Sequence, residues 1–257
     1  MPVIPQQSYT AIRSTLQTGD LFFFFGNSPA AVLIEDLESF SELPPYSHVG
    51  MVINDGGNLY FWDAPGSGDC FTDPYASDPN NRLNGGNPVH PGCRVAQLDS
   101  LLAYYSTVVS QPFELRQLNA PVSAASFSAL RTFIDRVDGL PFPNGPGPEW
   151  LKEFSGLMAN YVAGQKGISV LYGTYFCAQL VADSYMHMGL LNMDEWPANS
   201  YSPADFVRTD KDMPFVTGVS LQTPTPIDFD WNGMVEVSIP CNQSAAAKEE
   251  AVSATTA

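Results

Sequence analysis

The tetrapeptide Asn54-Asp55-Gly56-Gly57 joins two apolar runs, SHVGMVI at 47–53 and NLYFWD at 58–63. Asp-Gly between strand-like runs is a strong hairpin signal, because a two-residue turn needs backbone angles that Gly, Asn and Asp tolerate best. With Asp55 and Gly56 as the turn residues, Asn54 opposes Gly57. The register then runs back through Val52 opposite Leu59 and Val49 opposite Trp62 to His48 opposite Asp63. Directly opposed residues share a face, with Cβ atoms about 4.5–5.5 Å apart. This register sets an imidazole beside a carboxylate, and a slip of one residue would put them on opposite faces.

The rest of the chain predicts a mixture of strands, helices and long loops. Thr18-Gly19-Asp20 is a turn before Leu21–Phe25, a run of one leucine and four phenylalanines that reads as a buried strand. Ala30–Phe40 reads as a short helix ended by Pro44 and Pro45. Residues 64–94 are rich in Gly, Pro, Asn and Asp and predict a long inserted loop with one strand near Cys93–Ala96. Leu98–Val109 reads as helix and Phe113–Leu118 as strand. Ser123–Val137 is the clearest helix, with Phe127, Leu130, Ile134 and Val137 near one face and Ser123 as its cap. Glu149–Val162 and Cys177–Leu190 read as further helices. A polar connection covers 197–211, and 213–240 has strand character, most clearly at Met234–Ile239. The Ala/Ser/Thr tail from 243 to 257 predicts disorder. No βαβ rhythm is present, so the fold class is α+β. The expected organisation is one domain over 1–242, with a core at about 16–208 and a strand extension at about 213–240.

Charge narrows the partners. There are 11 Lys plus Arg against 27 Asp plus Glu, a net charge of −16 over 257 residues. Nucleic acid is therefore not an expected partner, and neither is an acidic surface. No run approaches the roughly 20 apolar residues of a membrane span. The first 16 residues lack a basic start and an apolar h-region, so a cytoplasmic protein is expected, with secretion by a non-classical route left open. Cysteines stand at 70, 93, 177 and 241 without a CxxC pair, which predicts free thiols, though a single 70–93 bridge stays open. His90 and Cys93 lack zinc spacing, Asp69 and Asp73 lack a calcium-loop pattern, and no nucleotide-binding glycine motif occurs. No metal or cofactor is expected.

The hairpin pair suggests chemistry. Asp63 can hold one nitrogen of His48 as a donor and leave the other as a base. Cys177 follows the turn Gly173-Thr174-Tyr175 and opens a helix, where free N–H groups favour an anion at sulfur and can stabilise an oxyanion. Thiol, imidazole and carboxylate together support attack on an amide or ester through an acyl-enzyme. Tyr46 and Ser47 flank His48 and are candidate cleft residues. Tyr172 and Tyr175 precede Cys177 and are candidate donors near the oxyanion. His187 lies ten positions after Cys177, about 15 Å along a helix, too far for direct proton transfer. The same residues also admit a plain structural reading, in which Cys177 and His48 belong to the core.

Three segments occur in a telling order: Thr18-Gly19-Asp20-Leu21, Ser47-His48-Val49-Gly50-Met51-Val52, and Tyr175-Phe176-Cys177-Ala178-Gln179-Leu180-Val181. Together they resemble the circularly permuted papain-like hydrolases of the NlpC-type superfamily, which includes lecithin retinol acyltransferase-like proteins. The resemblance implies a central antiparallel sheet with packed helices. It also implies His48 as base, Asp63 as orienting residue and Cys177 as nucleophile. Many relatives have Glu-Ala in the third place, where this chain has Asp63-Ala64. The stretch Phe133–Pro143 resembles a helix and Gly-x-Pro-Tyr segment of the group, with Phe142 in place of the tyrosine, so no donor role passes to it. The implied substrates are peptides, isopeptides or acyl lipids. Three functions stay open: a cysteine hydrolase, an acyltransferase using the same thiol, and a catalytically silent binding or structural protein. The insertion at 64–94 is a candidate roof over the site.

Overall fold

A computed structural model describes residues 6–25, 46–66, 71–73, 75, 92–108, 112–143, 173–207 and 213–233. The expected helices at 30–40 and 149–162, the strand at 234–239 and the tail all fall outside these residues.

The described residues form an α+β fold around a seven-stranded sheet. Its strands are β1 (Gln7–Ser8), β2 (Leu21–Phe24), β3 (His48–Asp55), β4 (Asn58–Asp63), β5 (Arg94–Gln97), β6 (Phe113–Arg116) and β7 (Thr225–Asp228), in the order β1-β7-β6-β2-β3-β4-β5. All neighbours are antiparallel except β1 and β7. The helices are α1 (Tyr9–Ile12), α2 (Leu98–Ala103), α3 (Ala124–Val137) and α4 (Cys177–His187). A π-helical turn continues α2 over Tyr104–Val108.

Helices cover both faces of the sheet. Leu21, Phe23, Val49, Met51, Tyr60 and Trp62 join one core with α3 and α4. Phe22, Phe24, Val52, Leu59 and Phe61 join a second with Tyr9 and the α2 residues Leu98, Leu101 and Leu102. That is why β2 shows no polar alternation: a strand buried on both sides reads as a continuous apolar run. Ser123 caps α3, accepting the Ser126 N–H at 3.0 Å, and Leu130, Phe133, Ile134 and Val137 form its buried face.

The β3–β4 hairpin forms, but in a different register from the expected one. Asp55 pairs with Asn58, Val52 with Phe61 and Met51 with Trp62. The turn residues are Gly56 and Gly57, both with positive φ, at 63° and 94°. A tight turn with two positive φ angles costs least at two glycines, so Asp55 remains in the strand. Asn54 secures the turn by accepting the Gly57 N–H at 3.0 Å. The correction moves each β3 partner two places along β4. Two places is a whole pleat period, so His48 and Asp63 stay on one face. Gly50 now lies across from Asp63, and a Cβ there would come 2.3 Å from the Phe61 ring and 2.9 Å from the Asp63 Cβ.

Of the expected C-terminal extension, Thr225–Asp228 lies within the sheet. β7 sits between β6 and β1 and forms part of it.

Candidate functional site

His48 opens β3 and Asp63 closes β4. His48 Nε2 donates to Asp63 Oδ2 at 3.0 Å across the diagonal left clear by Gly50. Asp63 is fully buried and also accepts from Arg94, which begins β5 directly opposite it. Arg94 Nε meets Oδ1 at 3.0 Å and a terminal nitrogen meets Oδ2 at 3.3 Å. The carboxylate therefore serves two donors at once.

Cys177 is the first residue of α4 and is 1 % exposed. Phe176, just before it, offers no side-chain acceptor to the first turn, while Gln179 reaches back to accept the Phe176 N–H at 3.3 Å. The Cys177 thiol points at the carbonyl of Ser47, the residue before His48, at 4.0 Å, and it contributes to the electrostatics of the His48 ring. Nε2 is occupied by Asp63, and Nδ1 is the other ring nitrogen. Burial favours the neutral ring, yet the hydrogen bonds and charges of Asp63 and Cys177 outweigh it and raise the His48 pKa from 6.5 to about 10. The ring is thus held as an imidazolium at neutral pH.

The flanking candidates have other partners. The Tyr46 hydroxyl donates to the Glu114 carboxylate, and its ring lies 4.6 Å from Phe25 and 5.5 Å from Phe23. Ser47 contributes its carbonyl to Cys177, while its hydroxyl donates to the Phe24 carbonyl at 3.4 Å. The Tyr175 hydroxyl donates to Asp183 at 2.7 Å, farther down α4. Tyr172 lies outside the described residues. Phe142 is buried in the core with Cys177. Cys93 is a buried free thiol.

Sequence reading passed over two residues. Arg94 lay at the end of a long irregular stretch, and nothing local marked it as the partner of a residue on another strand. Gln179 was quoted only as part of a motif, although its spacing of three from Phe176 is the reach-back half of a helix cap. The segment after α3 has a positional role too. Cys93 N–H donates to the Leu140 carbonyl at 2.8 Å and Tyr175 N–H to the Pro141 carbonyl at 3.0 Å, so residues 140–141 tie the foot of β5 to the approach to Cys177.

Among the described residues no group of three or more His, Cys, Asp or Glu side chains is arranged to hold a metal ion. None of their helices is long and apolar enough to cross a membrane.

No protein-family model matches the chain, and no curated protein matches it. Among solved structures, the chain is similar to the metalloprotein yiiX from Escherichia coli O157:H7, at 16 % identity and a TM-score of 0.42. That match covers 84 % of this chain and 98 % of the other.

Proposed function

We propose that this chain is a cysteine-dependent hydrolase with a circularly permuted papain-like arrangement, cleaving an amide or ester bond. The observation that carries the reading is the His48–Asp63 hydrogen bond, with the thiol of Cys177, at the start of a helix, 4.0 Å from the carbonyl of Ser47, the residue before His48.

In this reading the Cys177 proton already resides on His48, and the thiolate sulfur bonds to the substrate carbonyl carbon. The carbonyl π pair moves to oxygen, and the N–H groups of the first turn of α4 receive the oxyanion. The pair returns, the bond to the leaving amine or alcohol breaks, and His48 protonates that leaving group. Water then attacks the thioester, gives a proton to His48, and releases the acid while the thiolate beside the imidazolium is restored. Asp63 keeps Nε2–H donated away from the thiol, so that Nδ1 remains the working nitrogen. The net charge of −16 favours neutral or cationic substrates over acidic ones. Peptides, isopeptides and acyl lipids are the proposed substrate classes.

The test is a library of peptide, isopeptide and acyl-ester substrates with wild type, Cys177→Ala and His48→Ala. Turnover by the wild type with a loss of about 10³-fold or more in both variants is expected, given the size of such effects when a nucleophile or base is removed. Equal turnover in Cys177→Ala would end the thiol mechanism. Product that appears only with an added alcohol or amine acceptor would assign acyl transfer instead.

A further inference from the structure

Behind the thiol, imidazole and carboxylate lies a buried cation. Arg94 is 6 % exposed and grips both oxygens of Asp63. A further guanidinium nitrogen approaches the Phe71 carbonyl at 3.5 Å, and the guanidinium lies 5.4 Å from the centre of the Phe71 ring. Phe71 and Asp73 belong to the long insertion after β4. The Asp73 carboxylate accepts the Gln97 N–H at 3.0 Å and the Tyr75 N–H at 2.9 Å. Gly92 N–H donates to the Pro65 carbonyl at 2.9 Å. These described parts of the insertion brace β5 behind Asp63.

We propose that Arg94 is a positioning residue of this site: a buried counter-cation that locks Asp63 toward His48 and allows the carboxylate and a Cys177 thiolate to share one imidazolium. The inference rests on the thiol-hydrolase reading. Its physical basis is charge balance in a low-dielectric place. A carboxylate and a thiolate beside a single imidazolium leave an excess negative charge, which draws a proton onto the group. The guanidinium supplies the missing positive charge. It does so with a planar fork matched to both carboxylate oxygens, so position and charge are delivered together.

The ionisable groups facing the site are Asp63 on β4, Arg94 on β5 and Cys177 on α4, around His48 on β3. Cys93, just before β5, is close enough to feel the Asp63 charge. Burial raises its pKa first, and Asp138, Asp63 and Asp183 add to that, so it stays a neutral thiol. Tyr105 reaches the far side of Phe24, whose ring lies 5.8 Å from His48.

The experiment follows ultraviolet thiolate absorbance against pH in the full chain, with the Cys177→Ala signal subtracted. It needs neither substrate nor reagent access. In Arg94→Gln, which is shorter and keeps an N–H donor near the Nε position but removes the charge, the half-point of the Cys177 signal is expected to move upward by about one pH unit, at the low end for a neighbouring charge. In Arg94→Lys, which keeps the charge and loses the fork, it is expected to stay within a few tenths of a pH unit. Thermal melts establish that each variant is folded. If Arg94→Gln does not fold, Arg94→Lys carries the test, and a half-point displaced by about a pH unit in that variant overturns the charge role. An unchanged half-point in folded Arg94→Gln overturns the proposal and leaves the hydrolase reading standing. Wild type without any Cys177 thiolate signal below about pH 8.5, the range of ordinary thiols, overturns both.

Discussion

At His48 the cost of burying a charged ring is outweighed by the nearby Asp63 and Cys177, which raise its pKa to about 10. This raised pKa stabilises the fold fully below the ordinary value of 6.5, and the stabilisation is lost as pH rises through about 10. Asp63→Asn removes the charged partner of the His48 hydrogen bond. Its His48 ring resonance is expected to titrate closer to 6.5, and the part of its stability deficit that comes from the His48 shift is expected to be full below about pH 6.5 and to shrink toward pH 10. A histidine titration unchanged in Asp63→Asn would contradict this account. Asp20 behaves in the opposite sense. Burial raises its carboxyl from 3.8 to about 6, and the N–H groups of Gln17 and Leu118 offset only part of that shift. Because the folded state holds this proton more tightly, stability from Asp20 is full below pH 3.8 and declines as pH rises through about 6. Asp20→Asn keeps one accepting oxygen and leaves one buried N–H unpaired, a cost of about 1–3 kcal/mol. Denaturant titrations should show the gap between wild type and this variant narrowing as pH climbs from about 4 to about 7.

Among the elements, the β3–β4 hairpin and α4 do most to position the site. Gly50→Ala forces a Cβ against the Phe61 ring and the Asp63 Cβ. It is expected to destabilise by about 1–3 kcal/mol and to lengthen the His48–Asp63 contact, which a melt and a structure of the variant would measure. Ser184 joins α4 to β4: it accepts the Trp62 indole N–H at 3.1 Å and donates to the Leu180 carbonyl at 2.7 Å. Ser184→Ala strands a buried indole N–H and should cost about 1–3 kcal/mol in chemical denaturation. A neutral result would mean that the Trp62 N–H finds another acceptor. The two glycines that close the hairpin explain why its existence was legible and its register was not. Local turn signals identify a hairpin, but Asp55-Gly56 and Gly56-Gly57 differ only in the small backbone cost of a positive φ. That the error was two residues is why the imidazole and carboxylate still meet.

For the whole molecule, the C-terminal part of the described chain belongs to the fold. The Arg116 guanidinium on β6 donates to the carbonyls of Phe206, Leu221 and Gln222, while β7 fills the space between β6 and β1. Truncation after residue 212 removes two of those acceptors and opens the edge of β6. Such a chain is expected to melt at a lower temperature and to be cut by protease near β6; an unaltered melt would make the last strand dispensable. The amphipathic period of α3, the all-apolar β2, the hairpin and the helix that begins at Cys177 were legible in the sequence, because each depends on neighbours within a few residues. The pairing of Arg94 with Asp63, the reach of Tyr175 to Asp183 and the insertion of β7 were decided only in three dimensions. Each joins groups that side-chain chemistry alone could match to many partners, and burial in one place by the packed sheet and helices leaves a single choice.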